Sequence, residues 1–498
     1  MTPAPRLRRV RRALTVATLM LVFTACNSST GVPRPVEPPP PAEDSSSANS
    51  ADRILFWVNY KDVIALSDQD LDEWQRRGIG GFVTIVFALK SMGGNQDFTG
   101  NPKADLSGPN HEIQRAFRDT KIVERAQARG MKMYLGFYLN NYGNNRTPMA
   151  EWFDDPSWAA LLPDFANIAG AAKTLGFEGL AVDQEVYFPK DVAAPSWSIS
   201  YAGNVHGEAA TRAKVKQRGA QVMGAILSSF PAVDIFAYDT QLPKSWAEVV
   251  QSEVNGIKDA YANTVHIDFW DGMSSVEGYR AIRFVDSIFY KVTHVRGVTW
   301  DTANEYNLNQ FYSLLSRRWS NWSYASERVF LSPFSWLDEG PSSFDSARSA
   351  DHVAEQLLAF RRWGTGRAFA NFVFGSLQGF DYGPYEDALR AASKVAIVDS
   401  EPPVLSVAPM TANGSTTDLT GTATDNFGIR AVRWASQDMT RQGVAQMEWK
   451  IDSGDPRDGF TSHMDWTIHD LPVTEGEISI TAEDVKGLVT TVVLPLPS

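Results

Sequence analysis

The sequence predicts an α/β chain: a (β/α)8 TIM barrel followed by a small β-sandwich. Three observations carry this. Between residues 53 and 398, eight short apolar runs alternate with helical stretches, the pattern of parallel strands joined by helices. Those runs repeatedly end in polar or aromatic residues, and in such barrels the C-terminal strand ends carry the active site. Beyond Asp399-Ser-Glu-Pro-Pro403 the helical stretches stop, and short strands separated by turns take over.

In order, strands are expected at Ile54–Tyr60, Gly81–Leu89, Met131–Leu139, Gly179–Glu185, Val233–Asp239, Val265–Trp270, Val329–Trp336 and Arg367–Phe374. Each is a short, largely apolar run of the length a buried parallel strand has. Helical stretches fall at Asp68–Arg77, Ile122–Arg129, Trp158–Leu175, Glu208–Ser228, Ala350–Trp363 and Tyr385–Ala396. The region 283–328 reads as an insertion between the sixth and seventh strands. It carries Trp300-Asp-Thr-Ala-Asn-Glu305-Tyr, either a lid over the cleft or a helix start capped at Asp301 and Thr302. An open doubly wound sheet is the alternative architecture, but no glycine-rich phosphate or dinucleotide loop follows the first strand.

The expected rim gathers Trp57 from the first strand, Tyr138 from the third, Asp183 and Glu185 from the fourth, and Tyr238 and Asp239 from the fifth. Asp268 and Trp270 come from the sixth, and Trp336 from the seventh. Aromatic rings offer electron-rich faces to the polarised C–H groups of sugars, and an aromatic-lined acidic cleft suits neutral or cationic sugars better than phosphates.

The most telling segment is Phe177-Glu-Gly-Leu-Ala-Val-Asp-Gln-Glu185-Val-Tyr. Residues two apart on a strand share a face, so Asp183 and Glu185 point the same way, together with Gly179 and Ala181. Two neighbouring carboxylates repel when both are charged, so one tends to keep its proton near neutrality. A proton donor beside an ionised partner is the equipment for cleaving a glycosidic bond. In that reading Glu185 protonates the leaving oxygen and Asp183 stabilises positive charge at the anomeric carbon. The alternative is a strand end bearing two solvated acids. A second hydrolytic arrangement, of α-glycosidase type, pairs Asp183 with Asp268 across two strands.

Other chemistries find little support. The chain has no HExxH, no Gly-x-Ser-x-Gly and one cysteine, and its 7 histidines are scattered. No metal and no cofactor is expected. The formal net charge is −12, which argues against nucleic acid as a partner.

At the N-terminus, Arg6, Arg8, Arg9, Arg11 and Arg12 precede an apolar run from Ala13 to Ala25 that is short for a bilayer span and ends in Leu21-Val-Phe-Thr-Ala-Cys26. This resembles a bacterial lipoprotein signal occupying residues 1–25. The resemblance implies export, lipidation of Cys26, and anchoring at the outer face of a membrane of the cell envelope. A buried structural cysteine is the alternative. Residues 26–52, rich in proline, serine and acids, read as a disordered tether. The domains that follow are the barrel at 53–398 and the sandwich at 399–498.

The sandwich resembles bacterial immunoglobulin-like modules. The residues that carry this are the Pro402-Pro403 entry, Gly421-Thr-Ala-Thr-Asp425-Asn-Phe-Gly-Ile, and Ile480-Thr-Ala-Glu-Asp484-Val-Lys-Gly487. Such modules are usually spacers and sometimes bind carbohydrate.

The acid strand resembles the fourth strand of family 18 glycoside hydrolases, the chitinases and endo-β-N-acetylglucosaminidases, whose signature is Asp-x-x-Asp-x-Asp-x-Glu. Laid on it, Glu178 and Ala181 stand in place of the first two acids, while Asp183 and Glu185 match the last two. The resemblance implies that Glu185 is the general acid and that Asp183 orients the substrate acetamido group. It also aligns Tyr238 and Asp239 with the family's Tyr-Asp pair. Ala181 departs from the pattern at a residue that supports the catalytic Asp. A different sugar, or a surface glycan-binding protein without turnover, are therefore the readings beside a glycoside hydrolase of a polysaccharide or oligosaccharide.

Overall fold

The computed structural model describes residues 54–88, 112–139, 150–183, 197, 199, 203–238, 265–286, 300–336, 350–364, 370–373, 383–410, 416–453, 461–472 and 476–496. Eight parallel strands form a closed barrel: β1 (Ile54–Asn59), β2 (Gly81–Ala88), β3 (Lys132–Tyr138), β4 (Gly179–Asp183), β5 (Asp234–Tyr238), β6 (Ala281–Asp286), β7 (Val329–Trp336) and β8 (Ala370–Val373). Closure is made by β1 pairing with β8, Leu55 opposite Asn371 and Trp57 opposite Val373.

Helices occupy the intervals: α1 (Tyr60–Ile64), α2 (Asp68–Arg76), α3 (Glu112–Thr120), α4 (Ile122–Gln127), α5 (Asp155–Leu175), α6 (Gly207–Ser229), α7 (His266–Ser274), α8 (Trp300–Arg318), α9 (Trp322–Ala325), α10 (Ala350–Trp363) and α11 (Gly383–Lys394). Local chemistry marks their ends. Ser67 and Asp70 form a reciprocal capping box at the start of α2. Asp154 caps α5, and Gly176 ends it in the left-handed region that glycine adopts freely (φ 84°).

Strand alternation sorts the core into two clusters. Ile54, Phe56, Phe82, Met133, Leu135, Leu180, Val182, Ile235 and Phe284 belong to the large cluster shared with the helices. Leu55, Val83, Tyr134, Ala181, Phe236, Tyr238 and Val285 form a separate cluster, with Trp57 packed on it. These are the residues that face into the barrel.

The expected sixth strand is corrected. Val265–Trp270 does not form a strand; His266–Ser274 is the helix α7, and the sixth strand is Ala281–Asp286. The described residues of the region 283–328 are accordingly the remainder of β6, then α8 and α9. The apolar run reads as a strand because α7 is buried on nearly every side: His266, Phe269, Trp270, Asp271, Gly272, Met273 and Ser274 are all buried. Glycines make this possible. A Cβ at Gly219 on α6 would lie 1.9 Å from the Phe269 carbonyl oxygen, and one at Gly272 would lie 1.9 Å from that of Lys216. The two backbones therefore touch.

The C-terminal part holds two antiparallel four-stranded sheets, consistent with a β-sandwich. Its strands are β9 (Val404–Val407), β10 (Thr416–Thr424), β11 (Ile429–Ser436), β12 (Gln442–Val444), β13 (Gln446–Ser453), β14 (Thr461–Pro472), β15 (Glu477–Asp484) and β16 (Val489–Pro495). The sheet orders are β13-β14-β10-β9 and β12-β11-β15-β16. Far from hanging free, these sheets pack on α8 and α10. The Ser316 hydroxyl accepts from the Met447 N–H (2.8 Å) and the Ser313 hydroxyl from the Trp449 N–H (3.1 Å). Edge strand β13 thus has backbone groups satisfied by a barrel helix, which also shields it from pairing with other chains. Arg430 donates to the Ser326 carbonyl (2.9 Å), and Phe427 packs on Trp363 with ring centroids 6.2 Å apart. No helix among the described residues is long and apolar enough to cross a membrane.

Candidate active site

Strand β4 delivers Asp183 to the C-terminal end of the barrel. In register, Asp183 stands opposite Tyr138 on β3 and Tyr238 on β5. It continues the inward alternation of Gly179 and Ala181, and is 1% exposed. The backbone is pinned there, since the Leu139 N–H donates to the Asp183 carbonyl at 2.7 Å.

Tyr238 is fully buried beside it. Burial, reinforced by the negative field of Asp183, pushes its phenol well above the ordinary value. Tyr238 is therefore a protonated hydrogen-bond donor at any physiological pH. Trp57 lies against it, with ring centroids 4.6 Å apart at 54°. Acid, phenol and indole from three strands thus share one end of the barrel interior.

Beneath them the interior is filled. Tyr134 and Phe236 meet edge to face at 4.7 Å. Ala181 sits in this apolar layer, among Val83, Tyr134 and Phe236. Lower still, Asp234 is held by Arg283 (2.9 Å) and Arg280 (2.7 Å). Arg283 also lies over the Phe236 ring, 5.4 Å from its centroid.

Other expected site residues divide into three groups. Glu185, Asp239 and Cys26 lie outside the described residues. Tyr138 and Trp336 end β3 and β7, but their side chains lie outside the description. Asp268 and Trp270 are corrected, because both belong to α7 and neither ends a barrel strand. Asp268 is paired with Arg212 of α6 at 2.7 Å. It lines an open cleft of about 430 Å³ between α6, α7 and Arg318. Burial raises its carboxyl pKa, against the opposing pull of Arg212. Trp270 is 1% exposed and packs against Phe284, ring centroids 5.4 Å apart. It is a core residue, and Asp268 stands in the first turn of a helix, not at the end of a sixth strand.

One residue escaped the sequence reading, and another was noted there only as part of a helix start or lid. Ser332 is buried and pairs in register with Val285, on the inward alternation of β7. A lone serine in an apolar strand carries no signal of its own. Glu305 on α8 is half-buried, and burial pushes its pKa up to about 7 despite the nearby Arg362. The charges that act on it are those of Arg362, which opposes the rise, and Asp301, which adds to it.

No protein-family model matches the chain. No curated protein matches it either. Among solved structures, a GH18 chitinase from Pseudoalteromonas aurantia is 12% identical, with 68% of this chain and 99% of that one covered and a TM-score of 0.37. An endocellulase from Pyrococcus horikoshii is 13% identical over 68% of this chain and 91% of that one, TM-score 0.41. A sugar phosphate isomerase/epimerase from Parabacteroides distasonis is 9% identical over 68% and 96%, TM-score 0.33. Likenesses this distant carry no argument about activity. The α/β barrel stands on its own strand pairing.

Proposed function

We propose that the chain is a glycoside hydrolase acting at the C-terminal end of the barrel. The observation that carries this reading is the buried carboxylate of Asp183, set on the inner face of β4 beside the protonated phenol of Tyr238. Fold alone would not carry it.

In the proposed mechanism Glu185, two residues after Asp183 in the sequence, protonates the leaving oxygen. Asp183 stays ionised and stabilises positive charge at the anomeric carbon, directly or through a substrate group. Tyr238 donates a hydrogen bond to a substrate oxygen, and Trp57 offers its face to a sugar ring. Tyr138, Asp239 and Trp336 are the further substrate contacts. The catalytic domain is 53–398, and the immunoglobulin-like domain 399–498. In the same reading, the chain is exported, anchored through lipid on Cys26, and held off the membrane by the tether at 26–52. Its substrate is a polysaccharide or glycan outside the cell.

A second reading, a surface glycan-binding protein without turnover, draws on Ala181. The site an additional acid would occupy is lined by Val83, Tyr134 and Phe236. A charged residue there would be desolvated without a partner. The support that such an acid gives its neighbour in family 18 is therefore missing. The two readings separate when the chain is incubated with polysaccharides, including N-acetylglucosamine polymers and β-glucans, and released oligosaccharides are measured. Release supports hydrolysis. Binding of a glycan with no release from any of them supports the second reading.

A further inference from the structure

We infer that Asp399, Asp425 and Asp484 form a calcium site that fastens the segment leaving the barrel to the sandwich. The three residues come from separate places: Asp399 from the segment between α11 and β9, Asp425 from the turn between β10 and β11, and Asp484 from the end of β15. One carboxylate oxygen from each lies within 4.8 Å of the others.

Each acid is fixed by a backbone N–H on one oxygen. Asp425 Oδ1 accepts from Phe427 at 2.7 Å, Asp399 Oδ1 from Glu401 at 3.1 Å, and Asp484 Oδ1 from Lys486 at 2.6 Å and Leu488 at 3.0 Å. The decisive feature is what remains. Asp484 is 0% exposed, and its Oδ2 is buried with no hydrogen-bond partner. Asp399 Oδ2 is likewise buried without one. A carboxylate oxygen withdrawn from water and given no donor costs free energy. Further carboxylates beside it add repulsion.

A hard divalent cation satisfies these oxygens and removes the repulsion. The donor set is all oxygen, without the thiolate or imidazole that zinc and copper favour. Calcium tolerates irregular sets of protein oxygens, whereas magnesium demands near-octahedral geometry and keeps several waters, so three carboxylates gathered from separate segments suit calcium better.

The consequence is mechanical. The turns that hold Asp425 and Asp484 also grip the barrel. Phe427 packs on Trp363, and Lys486 Nζ donates to the carbonyls of Arg361 (2.6 Å) and Gly364 (2.8 Å). A cation at this point joins those turns to the connecting segment.

The test is calorimetric titration of the chelator-treated full chain with calcium chloride, beside thermal unfolding with and without the ion. The expected result is one calcium bound per chain, with a Tm that rises to saturation. The Asp399→Asn variant is expected to lose affinity by ~10-fold or more, since ligand charge sets affinity in such sites. Asp399 lies in a connecting segment, so this variant tests the site even if Asp484→Asn fails to fold. Absence of both heat and Tm shift in the wild type overturns the proposal. Magnesium matching calcium overturns the choice of ion, and unchanged affinity in Asp399→Asn overturns the ligand set.

Discussion

Replacing Asp234 by alanine is expected to cost about 3–5 kcal/mol of stability, because it strands a buried charge. The side chains of Asp234 and Arg283 are 5% and 8% exposed, with charged atoms 2.9 Å apart. At that distance and an effective dielectric constant near 20, their attraction is ~6 kcal/mol. Desolvation of the pair offsets much of this. The variant keeps the desolvation of Arg283 and forfeits the attraction. Arg280, whose side chain is 52% exposed, is the internal control: Arg280→Ala is expected to cost under ~1 kcal/mol. A double variant, Asp234→Ala with Arg283→Met, is expected to recover much of the loss. Urea unfolding measures all three. Burial raises the Asp234 pKa, but the charge of Arg283 and the hydrogen bond from Arg280 outweigh it, so the folded value lies below the ordinary 3.8. A depressed pKa contributes stability that is complete above the unfolded value and is lost as pH falls through the folded one. The gap between wild type and Asp234→Ala should therefore be full at neutrality and close in strong acid. A loss below ~1 kcal/mol for Asp234→Ala, or a gap indifferent to acid, would refute the reasoning.

Gly179→Ala should be poorly tolerated, since its Cβ would lie 2.0 Å from the Asp234 carbonyl oxygen. A loss of ~1–3 kcal/mol in urea unfolding is expected, along with impaired glycan processing, because β4 carries Asp183. Tyr238→Phe removes the donor beside Asp183, and should lower kcat on any accepted glycan by ~10²–10³-fold with little change in folding. His463 sits between Asp452 (2.8 Å) and Asp465 (2.6 Å), whose hydrogen bonds raise its pKa above the ordinary 6.5. A raised pKa contributes stability that is present below the unfolded value and is lost as pH rises through the folded one. The stability difference between wild type and His463→Ala should therefore shrink from pH 6 to pH 9. A difference that grows would contradict the assignment.

The barrel was legible wherever a strand buries both faces in apolar residues. Seven of the eight expected strands overlap those observed, and α10 matches its expected limits. The sixth strand was hidden by its own structural role. Arg283 interrupts Ala281–Asp286 with a charge that only makes sense once Asp234 is beside it. Meanwhile α7 presented an aromatic run of the kind strands have, and the glycines that let it press on α6 reveal their purpose only in three dimensions. Asp268 and Trp270 were drawn into the site by that single exchange of helix for strand. The face that Asp183 shares with Gly179 and Ala181 was readable from period-two alternation, which needs no tertiary knowledge. The docking of β13 on α8 was not readable, because Ser313 and Ser316 are ordinary helical serines until a strand edge meets them.

The most direct test of the proposed chemistry compares wild type with Glu185→Gln on a glycan that the wild type cleaves. A general acid at Glu185 predicts that kcat falls by ~10²–10⁴-fold while binding is retained, with the acidic limb of the pH–rate profile altered. Equal rates from the two proteins would contradict the assignment, and with it the role of the fourth-strand acids.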